Sequence, residues 1–287
     1  MKAIATVRNS AVWQCRWREL VRIYLAALWL PAICLAQDIP KWEAGAGIGV
    51  ASMQDYRGSD QRKTYGVPLP YLVYRGDFLQ VDRNRVRGIL FKTDVMSADI
   101  SVYGSPPVKD NDARRGMPDL DALLEIGPQL TFFLQRGTAD RPEMTLRLPV
   151  RAVRRIGDEM GKEAGWLFNP SFDAEWTPSG GWKKRLSIGP LFADRKYHDY
   201  FYGVAPEYAV PDRPAYAARG GYSGMQLFAN ASKRFGNIWV GMFLQADQLK
   251  GAAFEDSPLA KKNLSLSAGF GVSWVFAESG SKISTGR

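Results

Sequence analysis

The chain has 287 residues, 46% hydrophobic, 23% charged and 12% aromatic, which excludes a disordered chain and a coiled coil. A mean hydropathy of -0.24 excludes a helical membrane bundle. The formal charge of +9 points towards anionic partners until the first 36 residues are set aside.

Those residues read as a secretory signal. Lys2, Arg8, Arg16, Arg18 and Arg22 precede an apolar run from Ile23 to Ala36, whose 14 residues are too few for a helix to span a bilayer. Cleavage after Ala36 removes five cations and one acid and leaves 251 residues at +5, an ordinary solvated surface. Cys15 and Cys34 leave with the signal, so the exported chain has no disulfide scaffold, cysteine metal site or thiol nucleophile. Nucleic acid is not an expected partner.

After the signal, period-2 alternation dominates and helical periodicity is nearly absent. The first segment sets Trp42, Ala44, Ala46, Ile48 and Val50 against Glu43, Gly45, Gly47 and Gly49. Met96, Ala98, Ile100 and Val102 alternate with Ser97, Asp99 and Ser101. Leu124, Ile126, Leu130, Phe132 and Leu134 share a parity opposite to Glu125, Gln129 and Thr131. Met144, Leu146, Leu148, Val150 and Ala152 oppose Thr145, Arg147 and Arg151. Phe168, Phe172, Ala174 and Trp176 oppose Asn169, Asp173 and Glu175. Ile238 to Ala246 repeats the scheme against Gln245 and Asp247. The last segment sets Leu264, Leu266, Phe270, Trp274 and Phe276 against Ser265, Ser267, Gly269, Gly271 and Ser273.

A soluble sandwich and a transmembrane barrel both give such alternation. Several segments here run well past the usual five or six residues, end in Trp or Phe, and carry charge on the second face. Strands are expected near 42–51, 67–74, 77–82, 85–91, 95–103, 120–135, 142–154, 165–177, 183–193, 222–234, 237–250 and 262–276. Joins at one end are tight, as at Arg75-Gly76 and Phe235-Gly236. Those at the other end, 52–66, 104–119, 155–164, 194–221 and 251–261, are long. The expected fold is an all-β transmembrane antiparallel β-barrel of about 12 strands over residues 37–276, or 10 if the ambiguous 77–91 stretch contributes fewer, with a tail at 277–287. The expected location is the outer membrane of a Gram-negative bacterium.

Chemistry is sparse. No nucleophile elbow, P-loop, HExxH or calcium-loop spacing is present, and no cofactor is expected. His198, the single histidine, falls in the longest outer loop and reads as a solvated side chain, not a catalytic base. Asp173 and Glu175 share one face about 7 Å apart by strand rise, room enough for paired-acid catalysis. Asp99, Glu125, Arg147 and Arg151 share the inward face on neighbouring strands, however. All six read better as a structural lumen network of opposite charges, with a selectivity filter as the other option. Arg151, Arg154 and Arg155 with Lys162 suit lipopolysaccharide phosphates or a solvated loop.

Several motifs in order resemble the MipA/OmpV family of outer-membrane proteins. They are Gly45-Ala46-Gly47-Ile48-Gly49, Tyr56-Arg57-Gly58-Ser59-Asp60, Val67-Pro68-Leu69-Pro70-Tyr71, Gly116-Met117-Pro118-Asp119-Leu120-Asp121, Tyr200-Phe201-Tyr202-Gly203-Val204, Ala215-Tyr216-Ala217 and Asp256-Ser257-Pro258. The resemblance implies a non-catalytic barrel, not an enzyme, in contact with outer-membrane lipid and lipopolysaccharide. It also implies a scaffold joining a murein lytic transglycosylase to a penicillin-binding synthase in peptidoglycan assembly. Other members imply an adhesin or a protein affecting permeability, and a small channel is the alternative that a twelve-stranded lumen itself allows. Members typically end at the aromatic matching Phe276, a position this chain passes.

Overall fold

The computed structural model describes residues 38–76, 78–82, 85–138, 140–178 and 180–284; the expected signal segment lies outside them. Strand β1 (Asp38–Pro40) belongs to a separate two-stranded sheet. The barrel proper begins with β2 (Trp42–Gln54) and β3 (Arg62–Arg75), continues through a short hairpin of β4 (Leu79–Asp82) and β5 (Arg85–Lys92), and then β6 (Met96–Ser105), β7 (Ala122–Gln135) and β8 (Glu143–Ile156). Next come β9 (Glu163–Phe168), β10 (Ser171–Trp176), β11 (Lys183–Ala193), helix α1 (Arg195–Tyr202), β12 (Gly221–Phe235), β13 (Ile238–Gln248) and β14 (Leu264–Glu278). A last strand, β15 (Lys282–Ser284), pairs with β1.

Each barrel strand is antiparallel to its neighbours. β14 pairs with β2 through Phe270↔Val50 and Trp274↔Ala46. On the far side β8 pairs with both β9 and β10, and both pair with β11. β9 and β10 are one barrel strand broken at Asn169-Pro170, where proline has no N–H to give the ladder. The Asn169 side-chain amide instead donates to the Pro190 carbonyl at 3.0 Å. Counted so, the barrel is closed and has 12 strands, the 77–91 stretch forming two of them.

Burial runs opposite to that of a soluble sandwich. Ile48 is 78% exposed, Leu244 64%, Phe172 57% and Phe270 52%, whereas Asp99, Arg147, Arg151, Asp173 and Asp247 are buried. In water this arrangement would lose apolar burial on one face and desolvate charge on the other. In lipid the apolar face is the solvated one. Trp42, Phe78, Phe235, Trp274 and Phe276 are exposed at the short-turn end, and Trp166 and Phe192 at the long-loop end, where amphipathic rings suit the two interfaces.

Several strands outrun the apolar pattern towards the long loops. β2 and β3 stay paired to Gln54↔Arg62, so the loop expected over 52–66 shrinks to seven residues, 55–61. Once clear of the hydrocarbon the ladder needs no apolar stripe, and polar residues continue it. The β4–β5 hairpin does the reverse. It turns back at Asp82↔Arg85, and among the described residues β3 pairs with it only through Tyr74↔Val81 and Arg75↔Gln80.

Candidate functional site in the lumen

The inward face carries charge in three tiers. At the short-turn end Glu43 accepts from Arg75 at 2.6 Å, from Arg234 at 2.9 Å and from the Tyr71 hydroxyl at 2.8 Å. Tyr71, Val73, Val275 and Trp239 pack beside it and fill that end. In the middle tier Arg147 on β8 donates to Asp173 at 3.1 Å and to Glu175 at 2.7 Å. Arg185 on β11 also donates through Nε to Asp173, at 2.7 Å, and lies 3.6 Å from Glu175. One carboxylate between two guanidiniums is a charge-assisted lattice with little freedom. In the upper tier Arg151 lies 3.4 Å from Glu125 and over the Tyr103 ring at 4.5 Å. Asp99 accepts from the Gln129 amide at 3.3 Å.

Alternation therefore brings together Arg147, Asp173 and Glu175, and separately Arg151 and Glu125, with Asp99 in a neighbouring amide contact. Arg185 and Arg57 have no counterpart in the sequence reading of the lumen. Arg185 shares the lumen parity of Ser187 on β11, a signal that the strand's other residues dilute. Arg57 comes from the β2–β3 loop, reaches into the mouth, and binds Asp247 at 3.1 Å and the Ser223 carbonyl at 2.7 Å. No periodicity marks a loop residue for such a place.

The long loops fold over the mouth. Helix α1 is capped by Asp194, whose carboxylate accepts from the Tyr197 and Trp166 N–H groups at 3.0 and 3.1 Å. Tyr202 stacks on Phe254 with centroids 3.6 Å apart, and its hydroxyl donates to the Arg57 carbonyl at 2.8 Å. Tyr56, Val108, Leu120, Val204, Leu249 and Leu259 complete this core, drawn from four loops. Arg213 ties the cap by donating to three backbone carbonyls, of Ala113, Arg115 and Tyr208, at 2.7 to 3.0 Å.

His198 is a correction. The reading of a solvated loop residue is overturned: it lies fully buried inside the cap, its ring 4.9 Å from that of Phe254. Nδ1 contacts the Arg219 carbonyl, which makes it the protonated nitrogen, and Nε2 accepts from Ser223 Oγ at 2.5 Å. Sequence reasoning placed it by its charged neighbours, Lys196 and Asp199, whereas helical geometry turns it to the opposite side. Burial holds its pKa below the usual value; the Arg219 carbonyl pulls upward and Arg57 pushes down further. Ser223 is equally buried, so the pair is sealed from any substrate. Tyr56 and Tyr200, in the same cap, are pushed up to about 12 by burial.

The basic stretch expected to meet lipopolysaccharide is partly taken up within the chain. Arg151 points inward, Arg155 pairs with Asp121 at 2.9 Å and with Glu159, and Lys162 pairs with Glu159 at 2.8 Å. Among the described residues no group of His, Cys, Asp and Glu is placed to hold a metal ion.

Between cap and charge lattice lies a chamber of about 420 Å³. Arg57, Glu125, Arg147, Arg151, Arg185 and Asp247 line part of it, and Tyr197, Phe201 and Tyr202 close it above. Its opposite wall, from β12 to β14, sets two aromatic rings among Gln226, Gln245, Ser265 and Ser267. Phe228 and Phe243 stack at 6.2 Å, and Phe243 lies on Gly269 with no room for a Cβ there. Leu69 lies in the same way across Gly271, on the neighbouring part of the lumen wall.

Among solved structures, the COG4313 outer membrane channel from Pseudomonas putida F1 is 14% identical over 85% of this chain and 98% of its own, with a TM-score of 0.45. The CymD monoaromatic hydrocarbon channel is 12% identical over 87% and 92%, with a TM-score of 0.35. The toluene transporter TbuX of Ralstonia pickettii is 11% identical over 82% and 73%, with a TM-score of 0.25. No curated protein matches the sequence. The family model of the MltA-interacting protein MipA matches residues 46–276, nearly the whole barrel. With its lipid-facing apolar surface, its polar lumen and that match, the chain belongs to the MipA family of outer-membrane β-barrels.

Proposed function

We propose that this barrel is a small outer-membrane channel whose lumen is occluded at rest by its own side chains, and which admits small molecules to the chamber beneath its cap. The observation that carries this is the chamber itself, with paired charge on one wall and a stacked aromatic pair among amides and hydroxyls on the other. A barrel needed only as an anchor has no use for such a space, and filling it would add stability. In this reading Asp99, Glu125, Arg147, Arg151, Asp173 and Glu175 keep the lumen shut to ions and hold its wall in shape. The barrel is non-catalytic.

A second reading keeps the partner in the family's name, the transglycosylase MltA, with the barrel as its scaffold beside a penicillin-binding synthase. The family match favours it. The geometry gives it little inner surface, since strands at that end join by short turns such as Phe235 to Ile238. Lipopolysaccharide is the remaining expected contact, through exposed Arg154 and the outer loops.

Uptake separates the readings. Intact cells producing the protein should take up N-phenyl-1-naphthylamine several-fold faster than cells lacking it, and planar bilayers holding the pure protein should stay nearly silent to ions. An unchanged dye rate with correctly inserted barrel overturns the channel. Recovery of a lytic transglycosylase by crosslinking, lost when the inner turns are altered, would then promote the scaffold.

A further inference from the structure

The strand order closes, yet among the described residues the ladder between β3 and β6 leaves a gap in the barrel's side. No described residue pairs with the second edge of β3 between Arg62 and Val73, because the β4–β5 hairpin turns back at Asp82↔Arg85. On the other flank β5 follows β6 only as far as Val86↔Val102. Exposure agrees with this gap. Tyr103 has the inward parity of Ser97, Asp99 and Ser101, which are at most 6% exposed, yet it is 39% exposed. Val67, inward-facing on β3, is 37% exposed.

The edge is built to stay unpaired. The Arg75 N–H donates to the Lys41 carbonyl, so odd-numbered residues of β3 turn their backbone groups towards β2; Gly76, of the other parity, donates to Leu79 on the opposite side. That alternation turns Pro68 and Pro70 towards the gap. Both lack an N–H, so two donors of the edge are absent in mid-gap, which blunts it against a joining strand. Above the gap the 106–121 loop is fastened to the β2–β3 loop: Asn111 donates to Asp55 at 2.8 Å, and Gln61 to Asp112 at 2.6 Å. Irregular backbone at membrane depth is tolerated where it lines a wet cavity, and Tyr103 to Pro106 line the chamber directly inside.

We infer that this gap is a lateral window through which small uncharged, largely apolar molecules pass between the chamber and the membrane's outer leaflet. The inference rests on the channel reading and names its substrate class. Cap and inner plug close both axial routes, leaving the side. Val67 and Tyr103 offer apolar and aromatic surface at the window, and Phe228 and Phe243 offer it within.

The test uses single-cysteine variants in intact cells. Val67→Cys is treated with N-(1-pyrenyl)maleimide dissolved in the membrane, with Thr145→Cys, inward-facing and buried on β8, as the comparison. Val67→Cys should react at least tenfold faster than Thr145→Cys. Its N-phenyl-1-naphthylamine uptake should fall to that of cells lacking the protein once it is labelled, relative to the same variant unlabelled. Heat-modifiable migration on gels verifies the folded barrel in each sample. Failure of the membrane-dissolved reagent to reach Val67→Cys, or its crosslinking to a second copy in place of labelling, overturns the window. Complete labelling that leaves a raised uptake unchanged overturns the lateral route and leaves the channel standing. Uptake not raised even by the unaltered protein overturns the channel, and the route with it.

Discussion

Across β6 to β11 the middle of the lumen is filled by paired charge, and across β12 to β14, β2 and β3 it is lined by rings and small polar groups backed on glycine, with charge at the two ends, Glu43 with Arg75 and Arg234 below and Asp247 with Arg57 above. On the charged side Asp173 sits between Arg147 and Arg185, fully desolvated, with a share of Glu175 on both bases. On the other side Gly269 and Gly271 give up their side chains so that Phe243 and Leu69 can lie flat against the wall. The first device depends on exact partners, since a buried charge that loses its counter-ion is left costly. The second depends on volume alone, and tolerates whatever leaves the space as it is. The chamber lies where the two meet.

The largest effect is expected from breaking the charged side at its centre. Asp173→Ala leaves Arg147 and Arg185 sharing Glu175, and should cost about 3–5 kcal/mol in reversible unfolding from lipid vesicles followed against denaturant. Arg147→Ala with Arg151→Ala should also open stepwise ion conductance in planar bilayers. Loss of stability below about 1 kcal/mol for Asp173→Ala would mean that the lattice is surplus to the fold.

The smooth side, between its charged ends, should respond to bulk. Gly269→Leu drives a side chain into Phe243 and should destabilise by about 1–3 kcal/mol in the same assay. Gly66→Ala on β3, where an added Cβ meets nothing within 4 Å, should leave stability unchanged. Ser267→Trp, on the chamber wall, should lower dye uptake towards background with the fold intact. Equal destabilisation by Gly269→Leu and Gly66→Ala would remove the dependence on bulk assigned to this side.

The smooth side is also the more legible in sequence. Gly45, Gly47 and Gly49, like Gly269 and Gly271, alternate with large apolar residues, and that period gives strand, face and parity together. Alternation likewise sets Arg147, Asp173 and Glu175 on one face, because parity is local. Which acid meets which base depends on strand neighbours and register, so Arg185 and the loop-borne Arg57 stay hidden. The cap was illegible for a similar reason. Its core joins Tyr56, Leu120, Tyr202 and Phe254, residues from four loops with no common period. His198 therefore read as a loop residue among charges, when those charges face out and the imidazole faces Phe254.

The cap is fastened to each side differently, which yields the smallest and most selective effect. Towards the smooth side it is held through Arg57 to Asp247 and through His198 to Ser223 on β12. Towards the charged side the Tyr200 hydroxyl donates to the Asp121 carbonyl at 3.0 Å, with Arg155 over the ring at 5.2 Å. Only the first set contains a histidine. His198 is buried neutral with its pKa below the unfolded value of about 6.5. Its contribution is therefore whole above that value and declines as pH falls below it, because the unfolded or detached state takes up the proton first. Protonation would give Nε2 a hydrogen to place, so the Ser223 hydroxyl could no longer donate to it, and would set a second positive charge near Arg57. Between pH 7 and 5, amide exchange should rise around Ser223 and Gly58 while Asp121 and Arg155 stay protected. His198→Gln should flatten that response. Uniform loosening of both anchors would point instead to carboxylates throughout the cap, and would end the assignment of its pH response to a single side chain.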